Sequence, residues 1–159
     1  MFFYLAEMEK DISKADFLDA IHKRVRNGIS KASIILEGIQ ESIDSETQST
    51  AGDKHDTSRE LMQQERNKAA QNLQNQISMD SLVLKLKTIN VSYEVNFGSL
   101  VLTNFGWLFI GLPLGKINFE DQEILCISGN APVAKILERK RVGASISING
   151  KNTQILSIK

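Results

Sequence analysis

The chain has 159 residues, enough for one domain or two small ones. Its 19 lysines and arginines balance its 19 aspartates and glutamates, which argues against a protein that grips nucleic acid by neutralising phosphates. Strong sequence-specific DNA binding is therefore not expected, and a nucleic-acid role would run through a protein partner.

The single cysteine, Cys126, excludes a disulfide framework and makes the cytoplasm the expected compartment. No apolar run approaches the ~18 residues of a membrane span. Met1-Phe2-Phe3-Tyr4-Leu5 is apolar, but Glu7, Glu9 and Asp11 follow at once, unlike a signal peptide. Phe2 and Phe3 read as the start of an element that packs against the body.

No proline precedes Pro113, so long uninterrupted helices are permitted. Over residues ~12 to 47, Leu18, Val25, Ile29, Ala32, Leu36, Ile39 and Ile43 form a stripe. From Val25 onward its steps alternate four and three, the spacing of a coiled-coil seam. Ala32 is small enough to admit a partner helix closely. Gly28 and Gly38 weaken this helix by up to ~1 kcal/mol each. Lys23, Arg24, Arg26 and Lys31 read as a solvated face, or as a basic surface toward a partner.

A second helix is predicted over ~57 to 87, with a thinner stripe of Met62, Ala69, Leu73 and Ile77. Two such helices joined by a short polar link make an antiparallel hairpin on the order of 45 Å long. The link, Ser45 to Asp56, is rich in residues that favour turns and caps. Within it lies Gly52-Asp53-Lys54-His55-Asp56. Asp53 and Asp56 are three apart at the far end of a hairpin, where no core needs them. Asp56 also suits a helix cap, as does Thr57, with Glu60 completing a capping box. His55 reads as an exposed turn residue, or as a base titrating near neutrality. Asp44 and Glu46 add charge to the same end or are solvated helix-end residues.

From ~Lys85 the pattern changes to short strands, at 98–103, 107–110, 124–127, 145–148 and 153–158. Asn149-Gly150 between the last two is a strong hairpin signal. Pro132 fits the first turn of one short helix, with Asn130 as its cap and Val133 to Lys140 continuing it until Gly143. In Glu138-Arg139-Lys140-Arg141 the basic residues would suit that helix's C-terminus. Cys126 reads as a buried thiol. Trp107, Phe109 and Phe105 read as core rather than as a ligand pocket, so prolyl isomerase activity is not expected. The fold class is α+β, with a coiled-coil hairpin at 1–88, its acidic tip near 45–57, and a small antiparallel sheet domain with one short helix at 89–159.

These residues resemble the Gre-type transcript cleavage factors of bacterial RNA polymerase. Ile127-Ser128, Ala131-Pro132-Val133-Ala134-Lys135-Ile136-Leu137, Lys140-Arg141-Val142-Gly143 and Ile155-Leu156-Ser157-Ile158 look like that family's strand, proline-led helix, basic pair with valine-glycine and last strand. Gly52-Asp53-Lys54-His55-Asp56 resembles its glycine-aspartate-x-x-glutamate tip, with Asp56 in place of the glutamate. The resemblance covers roughly residues 12 to 159 and implies that the sheet domain is FKBP-like. It implies a factor that is not itself an enzyme and has no cofactor of its own. Its hairpin would enter the secondary channel of RNA polymerase, meeting the RNA 3′ end only indirectly, and stimulate cleavage of backtracked transcripts. Asp53 and Asp56 would be the catalytic carboxylates: Asp53 a ligand to a Mg²⁺ shared with the polymerase active centre, Asp56 a second ligand or water-positioning group. The shortened Asp56 supports an alternative, a secondary-channel binder that regulates transcription or competes with cleavage factors. The regular seam leaves open an unrelated coiled-coil interaction module.

Overall fold

The computed structural model describes residues 11–48 and 55–159. Their elements in chain order are α1 (Lys14–Gln48), α2 (His55–Lys87), β1 (Leu100–Thr103), β2 (Gly106–Ile110), β3 (Gly115–Phe119), β4 (Gln122–Ile127), α3 (Pro132–Leu137), β5 (Ser145–Ile148) and β6 (Lys151–Ile158). The arrangement is α+β. Two compact units form: a helical one, Ile21–Leu82, and a sheet unit that joins the described residues up to Ala20 with Val83–Lys159. The end of α2 from Val83 and the start of α1 thus belong with the sheet.

In the helical unit α1 and α2 run antiparallel. Arg66 Nε donates to Gln40 Oε1 at 2.6 Å, while His22 Nε2 lies 3.1 Å from Asp80 Oδ1. Early residues of α1 therefore meet late residues of α2, and each arm runs on the order of 40 Å. The α1 seam follows the expected stripe: Val25 and Ala32 are buried, and Ile29, Leu36, Ile39 and Ile43 are half-buried. On α2 the half-buried residues include Met62, Arg66, Ala69, Leu73, Gln76 and Asp80, a stripe again in alternating steps of four and three. Ile77, expected in this stripe, is 42% exposed. The seam steps three residues from Leu73 to Gln76, which turns Ile77 outward.

Ser45, Glu46 and Thr47 are helical, although the sequence placed them in the link. The Ser45 hydroxyl donates to the Glu41 carbonyl at 2.9 Å and Thr47 Oγ1 to the Ile43 carbonyl at 2.7 Å. These side chains spend their hydrogen bonds back along the helix, so α1 continues to Gln48.

A Cβ at Gly28 would lie 2.7 Å from Gln76 Oε1. That atom is the far end of a flexible side chain and can swing aside. Helix propensity therefore decides the sign, and Gly28→Ala is expected to stabilise the hairpin by about 0.5 kcal/mol. Thermal unfolding followed at 222 nm checks this; a lower midpoint would show that the Gln76 contact outweighs propensity.

The sheet has six strands in the order β3-β4-β2-β1-β6-β5. All its pairs are antiparallel except β2 with β4, which run parallel. The antiparallel sheet expected from sequence is thus found, with one parallel pair, β2 with β4, that the sequence did not indicate. The connection from β2 carries the chain out to β3, and β4 returns between them. β3 had no sequence signal of its own. It is an edge strand with only Ile117 buried, and Glu120 and Asp121 (φ 49° and 66°) turn it into β4. Those residues adopt the left-handed conformations of a tight hairpin without the usual asparagine-glycine pair.

Both faces of the sheet are covered within this unit. Val101, Leu108, Ile110, Ile146 and Ile155 pack with Val95 and with Ala134 and Leu137 of α3. On the other face, Phe17 of α1 meets Phe109 edge-on at 5.4 Å between centroids, and Phe119 at 5.6 Å. β2 accordingly is buried from Trp107 through Ile110 without alternation.

α3 ends at Leu137, short of the expected Lys140, and Ala131 rather than Asn130 occupies its cap position, with no side-chain cap bond. Beyond it Arg139 turns left-handed (φ 60°), its amide donates to the Val95 carbonyl, and Val95 donates to Lys140. The Arg141 guanidinium donates to Glu94 Oε1 at 2.7 Å. Pairing with residues 94–95 is what ends the helix. Phe105, expected in the core, sits in the β1–β2 turn and is 55% exposed, whereas Trp107, Phe109 and Cys126 are buried as expected.

Candidate functional site at the hairpin end

Of the two candidate acids, the structure describes one. Asp53 and Lys54 lie outside the described residues. Asp56 is exposed and stands in the first turn of α2. Because α2 has begun by His55, neither Asp56 nor Thr57 is its cap; both are inside the helix. A carboxylate in a first turn faces the positive end of the helix dipole, which favours its ionised form by about 0.3–1 kcal/mol at an exposed site.

The C-terminus of α1 adds acids where the dipole would prefer bases, with no basic residue in its last turn. Asp44 is exposed and accepts a hydrogen bond from Gln40 Nε2 at 2.9 Å, and Glu46 is half-buried. Among the described residues of these two helix ends, Asp44, Glu46, Asp56 and Glu60 outnumber the one arginine, Arg59. The charge therefore concentrates negative potential at the end of the hairpin.

No cluster of three or more metal-ligating side chains occurs among the described residues. Asp56 offers carboxylate oxygens that could complete the shell of a cation held by other groups. Mg²⁺ suits that role, since it is commonly bound by one or two carboxylates and keeps several waters.

Three polar layers in the seam were not legible as such. His22 Nε2 lies 3.1 Å from Asp80 Oδ1, within ion-pair range but without an aligned hydrogen bond, and Arg26 Nη1 is 3.8 Å from Asp80 Oδ2. Gln76 lies against Gly28, and Arg66 bonds Gln40. Polar groups at single seam positions specify register at some cost in stability. They hold α2 against α1 in one alignment and so decide where the 48–55 link begins and ends. A four-three count on α2 that admitted polar residues would have found them. Lys23, Arg24 and Lys31 are exposed, in keeping with a solvated face.

No protein-family model matches the chain, and no curated protein matches it. No helix among the described residues is long and apolar enough to cross a membrane.

Proposed function

We propose that this protein is a Gre-like, RNA polymerase-binding elongation factor of the bacterial cytoplasm that stimulates cleavage of backtracked transcripts. One observation carries the reading. A two-helix hairpin carries Asp56 in the first turn of α2, at an end with an excess of negative charge, and Asp53 precedes it by three residues in the sequence. The sheet domain, on the same reading, is FKBP-like.

In this role the hairpin enters the secondary channel and the acids reach the polymerase active centre. A Mg²⁺ shared there would supply Lewis acidity for phosphodiester hydrolysis. Asp53 would offer it a carboxylate oxygen, and Asp56 would offer a second oxygen or hold the attacking water. Asp56 is one methylene shorter than a glutamate, and its helical backbone limits how it can extend. A misplacement of ~1 Å costs on the order of a hundredfold in rate.

The decisive assay uses a stalled, backtracked polymerase complex with 3′-overhanging RNA. Wild-type protein is expected to shorten the RNA. Asp53→Asn/Asp56→Asn is expected to lose at least about a hundredfold in rate while still binding polymerase. If wild type never shortens the RNA, cleavage stimulation is excluded.

A second reading is favoured by the place of Asp56 inside the first turn of α2, where the helix dipole accounts for the carboxylate without a metal. The protein is then a secondary-channel binder that competes with cleavage factors. It would bind polymerase and block a true cleavage factor, with no change on Asp53→Asn. Failure to bind polymerase at all would leave the hairpin as an interaction module of another kind.

A further inference from the structure

The sheet unit carries a groove of about 360 Å³ that the proposed function does not use. Its apolar lining comes from Leu18 at the start of α1, Leu86 at the end of α2, and Ile89 and Val91 just beyond. Leu18 and Leu86 are almost fully buried, whereas Val91 is 65% exposed, so a firm floor rises to an open apolar wall. The volume is at the lower end of the ~300–1,000 Å³ typical of small-molecule pockets.

The charges around it are unequal. Lys87 Nζ is neutralised by Asp19 at 2.7 Å. Lys14, which also lines the groove, has no ion pair among the described residues and is half-buried. Burial alone holds its ammonium below the ordinary lysine range. A partly desolvated cation beside an apolar floor is an uncompensated cost to the folded protein. An anion seated there would relieve it.

We propose that this groove binds a short aliphatic monocarboxylate, with the carboxylate on Lys14 and the chain along Ile89 and Val91, above the buried Leu18 and Leu86. One free ammonium matches one negative charge. A phosphate dianion would need more donors than Lys14 supplies, and it would face the Asp19 carboxylate. The apolar floor requires a hydrocarbon tail, which inorganic anions lack. This assignment is independent of the hairpin's role.

Octanoate is the probe, added to the full-length ¹⁵N-labelled protein. Saturable shifts are expected at the amides of Ala15, Leu18, Ile89 and Val91. 1-Octanol and acetate are expected to bind at least ~10-fold more weakly, since each lacks one half of the match. Lys14→Met should lose octanoate affinity at least ~10-fold while keeping the octanol response. Val91→Glu, at an exposed position that leaves the floor intact, should abolish octanoate binding. Raising pH through the depressed Lys14 pKa should weaken octanoate but not octanol, with the Asp19–Lys87 pair the only other charged groups lining the groove among the described residues. The proposal is overturned if octanoate gives no saturable shift at millimolar concentration, if octanol binds equally well, or if Lys14→Met binds octanoate as wild type does.

Discussion

Phe17→Ala is expected to destabilise the sheet unit by about 4 kcal/mol. Phe17 is fully buried and makes edge-to-face contacts with Phe109 and Phe119, at 5.4 and 5.6 Å between ring centroids. The loss combines the transfer term for an aromatic ring, the cavity it leaves and the two aromatic contacts. That is a large share of the 5–15 kcal/mol typical of a whole domain. Trp107 is the single tryptophan and is buried in β2, so its fluorescence during urea unfolding reports on this unit. Phe17→Leu keeps most of the volume and should cost about 1 kcal/mol. A loss below 1 kcal/mol for Phe17→Ala would mean that the start of α1 does not pack on the sheet.

Leu86→Ala should cost about 3 kcal/mol, since Leu86 is fully buried at the end of α2. Its methyls stand where a side chain at Gly111 would go: a Cβ there would be 3.0 Å from Leu86 Cδ2 and 3.3 Å from Cδ1. Gly111→Ala alone should therefore cost about 1–2 kcal/mol by overpacking. With Leu86 already truncated, the added methyl fills part of the cavity. The double variant should be less destabilised than the sum of the singles by about 1 kcal/mol. Additive losses would show that Leu86 and Gly111 do not share one packing site.

The groove at Lys14 and the packing at Phe17 and Leu86 arise from the same circumstance. The ends of the two long helices are part of the sheet unit, although in the sequence they belong to the helical segments. A division at residue 88 follows the change from long periods to short runs. Contacts divide the chain elsewhere, because Phe17 and Leu86 find their apolar partners on β2 and β3 and in the segment after β2.

Local pattern alone was enough for the elements whose signal is periodic or chemical. The four-three stripe from Val25 to Ile43 specified a helix and its buried face. Asn149-Gly150 specified a hairpin, and its residues adopt the left-handed conformations (φ 51° and 76°) that such a turn requires. Of the two acids, Asp56 falls in the first turn of α2 at the hairpin end, and Asp53 lies outside the described residues.

What the tertiary structure decided concerns pairings between distant residues. β3 is a strand because β4 supplies its partners, and Glu120-Asp121 gives no local warning of the turn. The parallel pairing of β2 with β4 cannot be read from either strand, since both present continuous or alternating apolar runs whatever the direction of their neighbour. α3 stops at Leu137 because residues 94–95 compete for the backbone of residues 139–141. The polar seam of α2 is visible only once α1 lies opposite, because Arg66, Gln76 and Asp80 look like solvated residues until Gln40, Gly28 and His22 meet them. Sequence determined which segments are helical and where the acids sit along the chain. Only long-range packing determined the register that positions the hairpin end, and the groove in which Lys14 has no counter-charge among the described residues.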